Sequence, residues 1–262
     1  MSGIIHLEMS NFGLAILLPT LAGLSTSIGS MLSLVFKTPG NKFMSFTLGF
    51  SAGLMLLVSF VELLAKGIEA AGFLCANVAF FAGMGVMFLI DVLIPHSFVG
   101  EECDALHPGS DQKRLLRTGM FVALGLGIHN FPEGMATFVG TLSNPHLGYS
   151  LAAAIAIHNI PEGIAVAACM YAATGSRAKA FWWSTLSGVA EPVGALLAAA
   201  VLFPILNEFV LSIVLASVAG IMVYIALDEL LPASRKFGHE HLSIFGAMLG
   251  MLVMAASLQL LR

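Results

Sequence analysis

The chain has 262 residues, 58% of them hydrophobic and only 10% charged, with a net charge of −4, whereas soluble domains run at roughly 45–50% apolar and 25% charged. These proportions exclude an ordinary soluble domain, and without a basic surface no nucleic-acid partner is expected. Cys75, Cys103 and Cys169 lack CxxC spacing, so neither a disulfide framework nor a zinc finger is predicted.

In chain order, apolar stretches of the roughly 20 residues needed to cross hydrocarbon are predicted at 14–36, 43–66, 73–94, 115–142, 147–171, 181–204, 209–231 and 243–261. Their length and the lack of period-2 alternation argue against a lipid-embedded barrel, whose strands need only about 10 residues. The predicted fold is an all-α membrane protein, an eight-transmembrane-helix bundle in lipid, forming a single polytopic domain over 1–262. The opening "MSGIIHLEMSNFG" has no Lys or Arg ahead of the first apolar run, so it does not read as a signal peptide. Alternate links between spans hold Lys37, Lys42, Lys113, Arg114, Arg117, Arg177, Lys179, Arg235 and Lys236, against Lys66 and Arg262 on the other side. Basic residues favour the cytoplasmic side. Both termini are therefore expected outside, and 95–114 is expected as a cytoplasmic loop between the third and fourth spans.

Two internal echoes organise the bundle. "SAGLMLLVSFVELL" at 51–64 matches "VAGIMVYIALDELL" at 218–231 without gaps, with Ala, Gly, Met, Glu, Leu and Leu coinciding at an offset of 167 residues. The two segments run in opposite directions, so spans 1–3 are predicted to be an inverted relative of spans 6–8. Such repeats are a device of transporters, which place the substrate site near the midplane. The second echo is "HNFPEG" at 129–134 and "HNIPEG" at 158–163, in spans 4 and 5.

His129 and Glu133 are four residues apart, hence on one helical face, and so are His158 and Glu162. Pro132 and Pro161 each lack an N–H and crowd the carbonyl four residues back, so an interrupted helix is expected at both. The motifs lie about 13–15 residues from the turn "SNPH", roughly 20 Å along each helix, which puts them level near the middle of the hydrocarbon. Glu191, in "GVAEPVG" of the sixth span, adds a third intramembrane carboxylate. Each costs on the order of 2.5–3.5 kcal/mol at the midplane, so cations or protons must neutralise them. Histidine with carboxylate suits a borderline divalent metal such as zinc better than sodium or potassium.

The doubled HN-x-PEG, the Glu-Pro of the next span and the eight spans with both termini outside resemble the ZIP divalent-metal transporters, over essentially the whole chain. The resemblance implies inward transport of Zn2+, with Fe2+, Mn2+, Co2+ and Cd2+ as further substrates and no catalytic cofactor, in a bacterial inner membrane. It also implies two adjacent ion sites. His129, Glu133, His158 and Glu162 form the first, with Met55 adding a thioether; Asn130, Asn159 and Glu191, sharing Glu133 and Glu162, form the second. An intramembrane metal-dependent hydrolase would use similar ligands. However, HExxH is absent, and a catalytic zinc keeps an open position among about three fixed ligands.

Three further residues are candidates for the ion path. Glu62 lies two turns beyond Met55 and reads either as a guide at the outer mouth or as a partly solvated helix end. Asp91 and His96 fall at the cytoplasmic end of the third span. The loop carrying Glu101, Glu102, Cys103, Asp104, His107 and Asp111 reads as an exit collector or as an ordinary acidic loop. A homodimer is left open as the assembly.

Overall fold

The structure, a computed structural model, describes residues 11–35, 40–93, 112–201, 205 and 207–260. Among these the regular elements are helical, with no strand: α1 (Phe12–Val35), α2 (Asn41–Ala71), α3 (Phe73–Leu93), α4 (Gln112–Ser143), α5 (Pro145–Thr174), α6 (Arg177–Val201), α7 (Glu208–Lys236) and α8 (Glu240–Leu260). Seven of them are long and apolar enough to cross a membrane. The remaining one, α4, is 32 residues long and carries the first polar motif in its middle. His96 and 95–111 lie outside the described residues, while 112–114, expected within the loop, already belong to α4.

Local chemistry sets the turns. Gly72 alone separates α2 from α3 and adopts φ 82°, a conformation that a side chain would strain. Asn144 alone separates α4 from α5; its side chain accepts the His146 N–H at 2.9 Å and Pro145 follows at the first helical position, a strong helix start. α4 and α5 are thus a tight antiparallel hairpin. The turns at Gly72 and Asn144 share one end of the bundle, because residues 62–69 of α2 and 144–150 around the start of α5 line one cavity.

The helices α1, α4, α5 and α6 pack together as a central group. Beside it lie two pairs, α2 with α8 and α3 with α7, joined to the centre mainly by α2 on α5 and α7 on α4. Leu17, Leu21, Leu24 and Ile28 of α1, Phe81 and Phe88 of α3 and Leu196 of α6 are exposed, while histidines, glutamates, asparagines and many hydroxyls are buried. An apolar exterior around a polar interior is what a lipid solvent selects. The chain is an integral membrane protein.

Close helix contacts recur in matched pairs. A Cβ on Gly53 would strike the Ala247 carbonyl oxygen and one on Gly220 the Phe80 oxygen; Gly250 meets Phe50 and Gly83 meets Ser217 in the same way. Every residue of one contact lies 167 positions from its counterpart, the offset found between the two sequence echoes. In the centre, Gly29 abuts the Ile160 carbonyl and Gly194 that of Phe131, while Gly163 abuts Thr26 and Gly134 abuts Glu191. Phe131 and Ile160 hold the same, third position of the two hexapeptide motifs, the one at which they differ.

The helical interruptions fall elsewhere than predicted. Both α4 and α5 run on through Pro132 and Pro161, because one proline removes one backbone hydrogen bond and close neighbours cover the strained turn. Instead, α2 widens to a π turn at Ser59–Leu64 and α7 at Ala226–Leu230. These turns start at matched positions and contain Glu62 and Glu229. Extra residues in a π turn commonly re-aim side chains at functional sites.

Candidate metal site

Each hexapeptide presents its histidine and glutamate on one helical face, and the α4–α5 hairpin turns those faces toward each other. The outcome is a crossed set of contacts. Nε2 of His158 lies 3.1 Å from both Oε1 and Oε2 of Glu133. Nε2 of His129 lies 3.4 Å from Oε1 of Glu133 and 3.3 Å from Oε1 of Glu162. The two rings stand 6.4 Å apart, nearly perpendicular at 79°. His129, Glu133 and His158 each offer a ligand atom within 4.8 Å of the other two.

These separations suit a small divalent cation. Zinc holds nitrogen and oxygen at about 2.0–2.2 Å in a tetrahedron, whose edges are then about 3.4 Å. The same distances are hydrogen-bond lengths, so imidazoles and carboxylates can hold one another in place for an incoming ion. All four residues are buried, none more than 1% exposed. A buried charge needs a partner, and here the partners come from the opposite helix.

The asparagines are anchored by their amide nitrogens. Nδ2 of Asn130 donates to the Ser187 carbonyl of α6 at 3.2 Å, and Nδ2 of Asn159 donates to the Ala22 carbonyl of α1 at 3.1 Å. Since a carbonyl can only accept, each amide must point its oxygen the other way. Both Oδ1 atoms are buried without a hydrogen-bond partner. Nδ2 of Asn159 also donates to Oε1 of Glu191, a fully buried residue. The other Glu191 oxygen and Oε2 of Glu162 likewise lack hydrogen-bond partners, while Oε1 of Glu162 has the His129 contact. Buried acceptors are rarely left so. Four orphaned acceptor atoms among the described residues make a pocket suited to a cation.

Met55 is fully buried on α2, one turn from Ser51, whose hydroxyl donates to the His158 carbonyl at 3.4 Å. Two further buried polar residues belong to this region, Thr26, which no sequence motif marks, and Glu229, the repeat partner of Glu62. Thr26 of α1 occupies the place that Glu191 takes on α6, judged by the matched glycine contacts, and its hydroxyl is buried without a partner. Glu229 is 5% exposed with Oε1 unpartnered. The internal alignment of Glu62 with Glu229 was the available signal for the latter; nothing local marks Thr26.

The path candidates separate into two ends. Glu62 is buried, and its Oε1 lies 3.0 Å from the Lys66 ammonium, so it is not a solvated helix end. At the other end, the Tyr224 hydroxyl lies 3.1 Å from Oδ2 of Asp91 and 3.3 Å from Oδ2 of Asp228. Asp91 is half-buried and Asp228 exposed.

Comparison with known proteins points the same way. A family model described as ZIP Zinc transporter matches residues 99–258. The chain is 48% identical over 263 residues to the zinc transporter ZupT of Corynebacterium aurimucosum, covering 97% of this chain and 99% of that protein. ZupT of Chlorobium luteolum is 50% identical, with 97% and 100% covered, and ZupT of Oceanobacillus iheyensis is 47% identical over the same shares.

Proposed function

The chain belongs to the ZIP zinc transporter family, and from that membership we propose that it carries zinc across the membrane, into the cytoplasm, through the cage between α4 and α5. It is a transporter and not an enzyme, which removes the intramembrane hydrolase. The observation that carries the site is the crossed pairing of His129 with Glu162 and His158 with Glu133. These four residues hold one ion, with Met55 supplying a soft thioether from α2. Asn130, Asn159 and Glu191, with the motif glutamates, hold a second ion through the orphaned oxygens. Amide and carboxylate oxygens are harder ligands than imidazole, so iron, manganese and cobalt also pass, while cadmium, a softer ion, is held by the imidazoles and the Met55 thioether.

The bundle is read as eight spans, with α4 the span whose apolar run the motif dilutes. The matched glycine contacts and the two π turns support α1–α3 and α6–α8 as an inverted repeat around α4 and α5. With nine of eleven basic residues on the links of one face, that face is cytoplasmic and the Asn144 turn faces outward, in a bacterial inner membrane.

Zinc uptake into liposomes containing the purified protein and an enclosed zinc-sensitive dye tests the function: signal no faster than in protein-free liposomes would refute it. Metal binds the deprotonated forms of these imidazoles and carboxylates, so binding should release protons and uptake should slow in acid. Calorimetric titration with zinc in buffers of different ionisation enthalpy reads the release directly. Equal heats in all buffers would contradict it.

A further inference from the structure

Beyond the cage, the outward end holds a cavity of about 300 Å³ lined by Glu62, Lys66, Glu69, Asn144, His146 and Ser150. It sits in the groove between α2 and α5, and these two helices also lead inward. Ser51 touches His158 deep in the bundle, and Glu62 faces the start of α5 eleven residues farther along α2. Met55 lies between those points. The cavity is therefore the mouth of the route to the cage.

Its chemistry contains a contradiction that needs explaining. A passage for cations benefits from negative charge, yet the most buried carboxylate of this mouth, Glu62, is paired with a lysine. The Lys66 ammonium approaches Oε1 to 3.0 Å, with its side chain 35% exposed against 9% for Glu62. The lysine snorkels toward water while the carboxylate stays inside, so the pair can open from the lysine end. At the matching place on α7, Glu229 is also buried in a π turn, but the residue 167 positions after Lys66 is Ala233. That buried glutamate keeps its place in the fold without a lysine at the matched position.

We infer that Lys66 is a tethered competitor for the outer carboxylate, a specificity-determining residue that occupies Glu62 until a divalent cation displaces it. The inference rests on the zinc-transport reading and on the outward placement of this end. Lysine suits the role because it is a compact charge on a flexible stem, and its half-exposed position lets the ammonium swing into water. Tethering gives it an effective concentration on the order of millimolar, which dilute monovalent ions cannot overcome singly. A divalent cation brings twice the charge and can engage both Glu62 oxygens with the His146 imidazole or Glu69 nearby. Lys66 thereby raises the zinc concentration needed to load the mouth, without touching the ion in the cage.

Initial rates of zinc uptake into liposomes test this with four proteins: the parent, Lys66→Gln, Lys66→Arg and Lys66→Gln combined with Glu62→Gln, the last compared with Glu62→Gln alone. Lys66→Gln should lower KM about 5-fold, the effect of removing one close, partly screened charge, with kcat unchanged. Lys66→Arg should keep the parent KM. In the Glu62→Gln background, Lys66→Gln should leave KM unmoved, since the competitor then has lost the buried carboxylate it blocks and only the exposed Glu69 remains. An unchanged KM for Lys66→Gln, or the same drop in the Glu62→Gln background, overturns the role of Lys66 while leaving transport intact. A parent without uptake overturns the transport reading itself, and this inference with it. A fall in kcat alone would mark the lysine as a purely structural residue and also overturn the inference.

Discussion

Replacing Glu133 by Ala should reduce zinc uptake at least about 100-fold, and His158→Ala should do nearly the same. Glu133 is the shared member of the cage: its oxygens lie 3.1 Å from His158 and 3.4 Å from His129. Losing a group that merely orients a ligand typically costs 10–100-fold in metal affinity, and Glu133 is proposed as a ligand in both ion sites. The alanine variant leaves two buried imidazoles facing each other without their common acceptor. Liposome uptake assays on folded, monodisperse variants check this. Rates within twofold of the parent in both variants would remove these residues from the path.

The second large effect concerns the frame. Gly134→Ala should destabilise the bundle by about 1–3 kcal/mol, the cost of forcing an extra carbon into a packed core, and should also impair uptake. The added Cβ would collide with the Glu191 backbone carbonyl. Since Gly134 follows Glu133 directly and Glu191 carries the third carboxylate, relief of that clash moves α4 and α6 apart and opens the cage itself. Gly127→Ala, in the same helix but with open space around the new carbon, is the control and should be nearly silent. Thermal unfolding in detergent, followed by aggregation or circular dichroism, separates the two; equal midpoints for both variants would contradict the packing argument.

How legible all this was in the sequence varied with the physics involved. Membrane class followed from composition, because lipid leaves few ways to satisfy a backbone. Helical periodicity and equal arm lengths around a short turn placed the two motifs level with each other, whereas the crossed contacts of His129 with Glu162 and His158 with Glu133 come from the structure. The proposed relation between α2 and α7 rests on six coinciding letters in fourteen and on glycine contacts that recur at the same offset.

Other parts had no local signal. The anchors of Asn130 and Asn159 are backbone carbonyls of Ser187 and Ala22, groups every residue possesses and no motif can mark. Thr26 meets Gly163 of the second motif as Glu191 meets Gly134 of the first, a contact that only the packed helices reveal. Prolines were expected to break α4 and α5; the wider turns lie instead at Glu62 and Glu229, the second just before Pro232, which crowds the Asp228 carbonyl, the first with no proline near it. Lys66, read as a stray charge on the outer side, acquires meaning only beside the buried carboxylate four residues before it.

On the proposed reading, zinc passes between the two hexapeptide motifs. Anomalous X-ray diffraction from crystals grown with zinc, recorded on either side of the zinc absorption edge, tests this most directly. A peak coordinated by His129, Glu133, His158 and Glu162, with a second beside Asn130, Asn159 and Glu191 at higher zinc, is the predicted result. Zinc peaks confined to the bundle's surface, with the motif residues still paired only to one another, would contradict it.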